Sequence, residues 1–192
     1  MISACRFTRT LGVALLGVLL AMSTIASADT AAKQTKVREQ SQQVLQHLYS
    51  EVPAARAVVA GAAGYATFRK IGLKMGVVGG GAGRGLAVSK AGAETFMAFA
   101  EVSAGPGLGI KSFDLIFVFE NPQAMSDFIN KGWEYTGEAT AAAKYEDSGA
   151  AMTEAQSVSP GVRLYQVTSS GLSAEITIKG TKYFKDAKLN KK

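Results

Sequence analysis

The spacing of apolar positions along the chain divides it into segments of different character. Leu11 to Met22 is apolar throughout, follows Arg6 and Arg9, and gives way to small residues ending Ala26-Ser27-Ala28. This is the layout of a secretory signal with cleavage after Ala28, because an apolar run of about a dozen residues is short of the roughly 20 that a spanning helix needs. Asp29 to Ser50 is polar and basic, with Val37, Val44, Leu45 and Leu48 at helical spacing, which predicts a helix with a narrow apolar stripe. Pro53 ends it or starts the next, and the Ala- and Val-rich stretch Ala54 to Ala63 predicts a short buried helix closed at Gly61 or Gly64.

After Gly64 glycine, β-branched and aromatic residues dominate, and Tyr65 to Phe68, Leu86 to Ser89, Thr95 to Ser103 and Ile110 to Phe119 have the length and composition of antiparallel strands. The almost continuous apolar run Asp114 to Phe119 predicts a central strand covered on both faces. Asn121-Pro122 breaks it as an N-cap and first helical position, and Met125, Phe128 and Ile129 form the apolar face of a surface helix ending at Lys131-Gly132. Trp133 to Tyr145 returns to extended character, and Glu146 to Pro160 is a loop or hairpin connection. Val162 to Thr168 and Leu172 to Ile178 alternate across Ser169-Ser170-Gly171 as a closing hairpin, and Lys182 to Lys192 is a basic tail with five lysines and one acid.

The predicted fold is α+β. A twisted, mostly antiparallel sheet, folded into a sandwich or a partly closed barrel, is covered by two N-terminal helices and one later helix. Residues 1–28 are the signal and residues 29–192 one domain, helical over 29–63 and mainly β over 64–181. Removing the signal leaves 164 residues with 19 basic and 15 acidic side chains, a net charge of +4, which is a mild bias toward an anionic partner. Cys5 leaves with the signal, so no disulfide or thiolate site staples the exported domain and its core alone must hold it.

Several ordered blocks carry a resemblance. Gly64-Tyr65-Ala66-Thr67-Phe68 after an Ala-rich helix is similar to an "A-x-G-Y-A-V-F-P" opening, followed by the glycine cluster Gly79-Gly80-Gly81-Ala82-Gly83-Arg84-Gly85. Ser103 to Phe119 resembles an "S-x-G-x-x-x-G-x-x-x-x-D-x-V-x-x-F" block, Met125 to Trp133 an "A-x-x-x-F-x-x-G-W" helix, and Gly171 to Gly180 a closing "G-L-x-x-G-x-x-x-x-G" strand. These blocks, over about residues 40 to 188, resemble the SYLF (Ysc84-like) lipid-binding family, with Arg69 in place of a proline and Glu175 in place of a glycine. The resemblance implies binding to negatively charged membrane lipid: phosphoinositides in eukaryotic members, with actin binding in the fungal branch. Neither of those belongs in a bacterial periplasm, so anionic phospholipid is the part that transfers.

The candidate lipid-binding residues are Lys33, Lys36, Arg38, Arg69, Lys70, Lys74 and Arg84; with Arg56 they place eight cations before residue 90. If they share a face, each contributes on the order of 1 kcal/mol toward an anionic bilayer at low salt. The glycine cluster matches no phosphate loop, and glycines at 79, 81, 83 and 85 on one strand face fit close backbone packing better. His47 is the only histidine, so neither a transition-metal site nor a Ser-His-Asp triad can be built; it reads as a helix-surface residue. No cofactor and no catalytic constellation is expected, and aromatics at strand periods read as core, not as a nucleic-acid platform. The sequence therefore predicts non-catalytic binding of anionic phospholipid at an envelope membrane, by a periplasmic protein peripheral to it. The alternative is a structural factor that engages an envelope protein through sheet edges and the lysine-rich tail.

Overall fold

The computed structural model describes the backbone of residues 8–134, 155–168, 171–172 and 180–191, and their side chains apart from those of 8–28, 72–78, 103–111 and 171–172. The chain divides into two compact units, Met1–Lys36 and Val37–Lys192. The first is helical from Thr8, the start of α1 (Thr8–Glu51). Among the described residues no helix is long and apolar enough to cross a membrane. Among its described residues the second unit holds α2 (Ala55–Gly61), the strands β1 (Gly64–Ser89) and β2 (Glu94–Phe119), α3 (Pro122–Asn130), and five shorter strands. These are β3 (Trp133–Glu134), β4 (Gln156–Ser159), β5 (Val162–Thr168), β6 (Gly171–Leu172) and β7 (Thr181–Lys185). The class is α+β, as predicted.

All pairings among the described residues are antiparallel. The path runs β3-β7-β2-β5-β4, with β1 also on β2 and β6 on β5. β1 and β2 form one hairpin, in register from Gly64↔Phe119 to Val88↔Glu94 with a shift between Gly76 and Val78. The strands predicted separately are thus joined through the glycine-rich stretches, because main-chain pairing continues across residues that carry no β propensity of their own. β7 takes in residues expected as a tail, and β5–β6 begins the predicted hairpin. Residues 135–154 and 173–179, including most of the predicted extended segment, connection and last strand, lie outside the described residues.

A straight 26-residue strand would span about 85 Å. β1 instead curls until its two ends meet: the Lys90 amide donates to the Ala63 carbonyl at 2.8 Å, and Phe68 packs against Gly85. This is the partly closed barrel of the two architectures predicted. Strand alternation then separates inside from outside. Inside lie Ala66, Phe68, Met97, Phe99, Leu115, Phe117, Phe119, Leu164 and Tyr183, capped by Met125 and Phe128 of α3. Seven rings, Phe68, Phe99, Phe117, Phe119, Phe128, Trp133 and Tyr183, pack there with neighbouring centroids 4.8 to 6.3 Å apart.

Outside, Ile116, Val118, Tyr165 and Val167 are covered by Val44 and Leu48 of α1 and by Ala55 and Val59 of α2. Residues 113–119 are therefore buried on both faces, as their apolar run predicts. Val37 covers Leu86 and Phe96, and the Thr67 hydroxyl donates to the Ser41 hydroxyl at 2.7 Å, so α1 lies along the seam where the ends of β1 meet. Asn121 caps α3 as predicted, its side chain accepting from the Ala124 amide at 2.8 Å.

A Cβ on Gly85 would stand 2.3 Å from both the Phe68 ring and the Thr67 carbonyl oxygen, whereas one on Gly61 meets nothing within 4 Å. Gly85→Ala should therefore cost about 1–3 kcal/mol through overpacking, and Gly61→Ala should be neutral or gain up to about 1 kcal/mol. Melting followed by circular dichroism separates the two, since each kcal/mol moves the midpoint by about 2–4 °C in a chain of this size.

Candidate functional site

The candidate cations do not form one open face. In the first unit Lys33 pairs with Asp29 one helical turn away, and Lys36 is exposed. In the second, Arg38 pairs with Glu94 at 2.7 Å and lies over the Phe96 ring, 5.0 Å from its centroid. Arg69 grips Asp114 with both edges of its fork, Nε to Oδ1 at 2.8 Å and Nη2 to Oδ2 at 3.1 Å, and its Nη1 donates to Gln43 at 3.1 Å. The Asp114 bond holds the Arg69 guanidinium above its ordinary pKa, against the opposing effect of burial. Asp114 also meets His47 Nδ1 at 2.8 Å, so His47, a part-exposed residue of the helix surface, also links α1 to β2. A signal for this link was Asp114 itself, an acid at the head of an apolar strand run, which requires partners when buried.

Lys70 points inside. Only 1 % exposed, it meets Glu101 at 3.0 Å and donates to the Thr181 hydroxyl at 3.2 Å. Burial pushes its ammonium below the ordinary 10.5 while Glu101 pulls the other way. Burial, with Glu101 nearby, raises the Tyr183 phenol well above its usual value. Lys70 is therefore not on the surface where the sequence-based expectation places it, because residue 70 follows Phe68 on the inward face of β1. Lys74 lies in β1 opposite Gly109, and its side chain is outside those described. Arg84 pairs with Asp186 at 2.9 Å. Burial raises the Asp186 carboxyl, but Arg84 and the backbone amides of Leu189 and Lys188 outweigh it and hold the group below its ordinary 3.8.

Other cations are left over. Among the described residues of the second unit, Lys90, Lys182, Lys185, Lys188 and Lys191 are exposed and make no ion pair, and Arg56 lies over the Tyr49 ring with its centroid 4.4 Å away. The acids without such a pair there are Glu39, Glu51 and Glu134. No group of acids, histidines or cysteines among the described residues could hold a metal ion. Among the described residues a shallow depression of about 240 Å³ lies between Val58, Gly61, Ala62, Val118, Glu120 and Arg163, small against the 300–1,000 Å³ of typical ligand sites.

Residues 100–192, which run from β2 through α3 to the C-terminal strand, are matched by a family model described as "Ysc84: Las17-binding protein actin regulator". Residues 100–192 are thus identified as a Ysc84, or SYLF, domain. Over 145 residues, 74% of its length, the chain is 32% identical to Beta cell expansion factor A of Aeromonas veronii. That match covers 53% of the relative, so this chain spans about half the relative's length. The SYLF family is known for lipid binding and not for catalysis, which supports a role at a membrane or with a protein partner.

Two measurements test the ion pairs of this SYLF domain. Lys70→Met should cost about 3–5 kcal/mol in urea unfolding by leaving Glu101 buried without its counter-charge, and adding Glu101→Leu should recover most of it. Asp186 has a depressed folded-state pKa, so its stabilisation is fully present above the unfolded value of 3.8 and is lost as pH falls through the folded value. The stability gap between parent and Asp186→Asn should therefore be widest above about pH 4 and close on acidification.

Proposed function

We propose that this protein is exported to a bacterial periplasm, loses residues 1–28, and binds the surface of an anionic phospholipid bilayer without catalysis. The carrying observation is the charge left over once the internal ion pairs are formed. Arg56, Lys90, Lys182, Lys185, Lys188 and Lys191 face three unpaired acids among the described residues of the second unit. Exposed lysines of this kind are each worth about 1 kcal/mol near an anionic membrane. Arg38 and Arg84 keep 41% and 45% of their side-chain surface while paired, so either can share a lipid phosphate with its carboxylate partner. With Lys33, Lys36, Arg69 and Lys74 they remain in the proposed contact set. Lys70 serves the fold.

Residues 29–192 contain the whole second unit and omit the apolar run Leu11 to Met22, which would itself enter vesicles. This chain should co-sediment with phosphatidylglycerol or cardiolipin vesicles and not with phosphatidylcholine, and binding should weaken several-fold between 50 and 200 mM salt, roughly as screening shortens. Lys182→Glu, Lys185→Glu, Lys188→Glu and Lys191→Glu together should lower binding about tenfold or more. Absence of binding to either vesicle would overturn the lipid reading and turn attention to a protein partner, recovered from envelope extracts in detergent and high salt.

A further inference from the structure

Among the described residues Phe184 is the exposed aromatic, with 39% of its surface in solvent, although Tyr183 before it is fully buried. The alternation of β7 accounts for the contrast. Thr181 and Tyr183 face the interior beside Lys70 and Phe68, so Lys182 and Phe184 face outward. Phe184 belongs to none of the three apolar clusters that hold the unit together.

Strand register fixes what surrounds the ring. Phe184 lies opposite Ala98, which lies opposite Arg84, and Lys182 lies opposite Ala100, which lies opposite Ala82. The outer face across β1, β2 and β7 therefore carries an aromatic and two cations around a centre of alanines. Lys185, directly after Phe184, and Lys188, whose amide donates to Asp186, add exposed cations. Among the described residues the acids of this face are Asp186, neutralised by Arg84, and Glu134, beside Lys182 at the rim of the sheet. Further along the same face the outward side chains Leu86 and Phe96 are large, and Val37 with Leu189 covers them.

Charge and relief together point to one kind of occupant. Unpaired Lys182, Lys185 and Lys188 against the single unpaired acid Glu134 complement a surface of phosphates, where each lysine is worth about 1 kcal/mol. Alanines at the centre leave no pocket for a partner's side chain, whereas protein interfaces draw most of their energy from anchors seated in pockets. A bilayer asks only for a flat face with an apolar group at the acyl boundary and cations that reach back to the headgroups, which lysine stems do readily.

We infer that the outer face of β1, β2 and β7 around Phe184 is the surface that lies on an anionic bilayer, with the ring in the headgroup–acyl boundary and Arg84, Lys182 and Lys185 at the phosphates. This rests on the lipid reading above and says which face of the domain meets the membrane. It differs from attraction by exposed lysines alone in requiring an apolar anchor.

The test uses residues 29–192, which contain no cysteine. Phe184→Ser should lower binding to phosphatidylglycerol vesicles about fivefold, the share of a phenylalanine's transfer energy that its open surface represents. The loss should be as large at high salt as at low, Phe184→Leu should bind nearly as the parent does, and Val58→Ser, on α2, should match the parent. Circular dichroism of Phe184→Ser should also match, since the ring packs into no core cluster. Independently, an environment-sensitive dye on Phe184→Cys should shift to the blue with phosphatidylglycerol vesicles and not with phosphatidylcholine, and the same dye on Val58→Cys should shift with neither. If the parent binds but Phe184→Ser binds equally, or the dye at 184 stays silent, this face is overturned and the lipid reading stands. If the parent binds no vesicle, both fall. If Phe184→Ser only converts a dimer to a monomer, the face joins two copies and the proposal is wrong.

Discussion

The structure depends on one approach, that of Phe68 to Gly85 across the two ends of the same strand. A hairpin this long has two options: to lie flat with both faces in water, or to curl until its ends touch and one face becomes an interior. Curling is favoured because the described inward positions from Ala66 to Phe119 are apolar or aromatic apart from the paired Lys70 and Glu101, and burial of one large side chain contributes about 1.5–3 kcal/mol. It is permitted because Gly85 and Gly83 present no Cβ to the Phe68 and Phe99 rings. The glycines themselves add little cohesion. They remove an obstruction at the positions where the main chain must come closest, and the aromatic cluster supplies the attraction.

Once the curl is closed, the charges have little freedom. Lys70 and Glu101 are carried inside by strand alternation and can be tolerated there only as a pair, since an isolated ammonium or carboxylate would be far costlier. Arg69, His47 and Gln43 converge on Asp114 and tie α1 to the hairpin beside the seam that α1 covers. Arg84 holds Asp186, and Asp186 in turn accepts from the Lys188 and Leu189 amides, turning the chain so that Leu189 covers Phe96. The cations that look most like a lipid patch in the sequence are thus largely structural in their first duty, and the unpaired positive charge is concentrated toward the C-terminal end.

What was legible in the sequence follows from what is local. The doubly buried strand at 114–119 is written in a continuous apolar run, and α3 in Asn121, Pro122 and the spacing of Met125 and Phe128, because a cap and a helical face are fixed by neighbours within four residues. The helix stripe Val37, Val44 and Leu48 was equally plain. The continuity of β1 and β2 was not, since glycine has no strand preference of its own and pairs here because its partner strand holds it. Nor was β7: Thr181, Lys182, Tyr183, Phe184 and Lys185 do alternate, but a run of lysines after a predicted closing hairpin reads as solvated. Lys70 was misplaced for a related reason, that charge suggests a surface while alternation from Phe68 dictates an interior.

The same alternation accounts for the unevenness of the outer surface. Where β2 nears its end its outward residues Ile116 and Val118 are large and apolar, and two helices cover them. From Ala98 to Val102 the outward residues are Ala98, Ala100 and Val102, too small for the first two to anchor a helix by themselves, and Val102 is left in solvent. A folding constraint alone would favour a polar residue at such a position, because an exposed aliphatic adds nothing to the core and invites association. Ile71 repeats the pattern on the facing arm. The alternation that carries Lys70 and Glu101 inside as a pair is thus the same one that leaves their neighbours Ile71 and Val102 outside the curl.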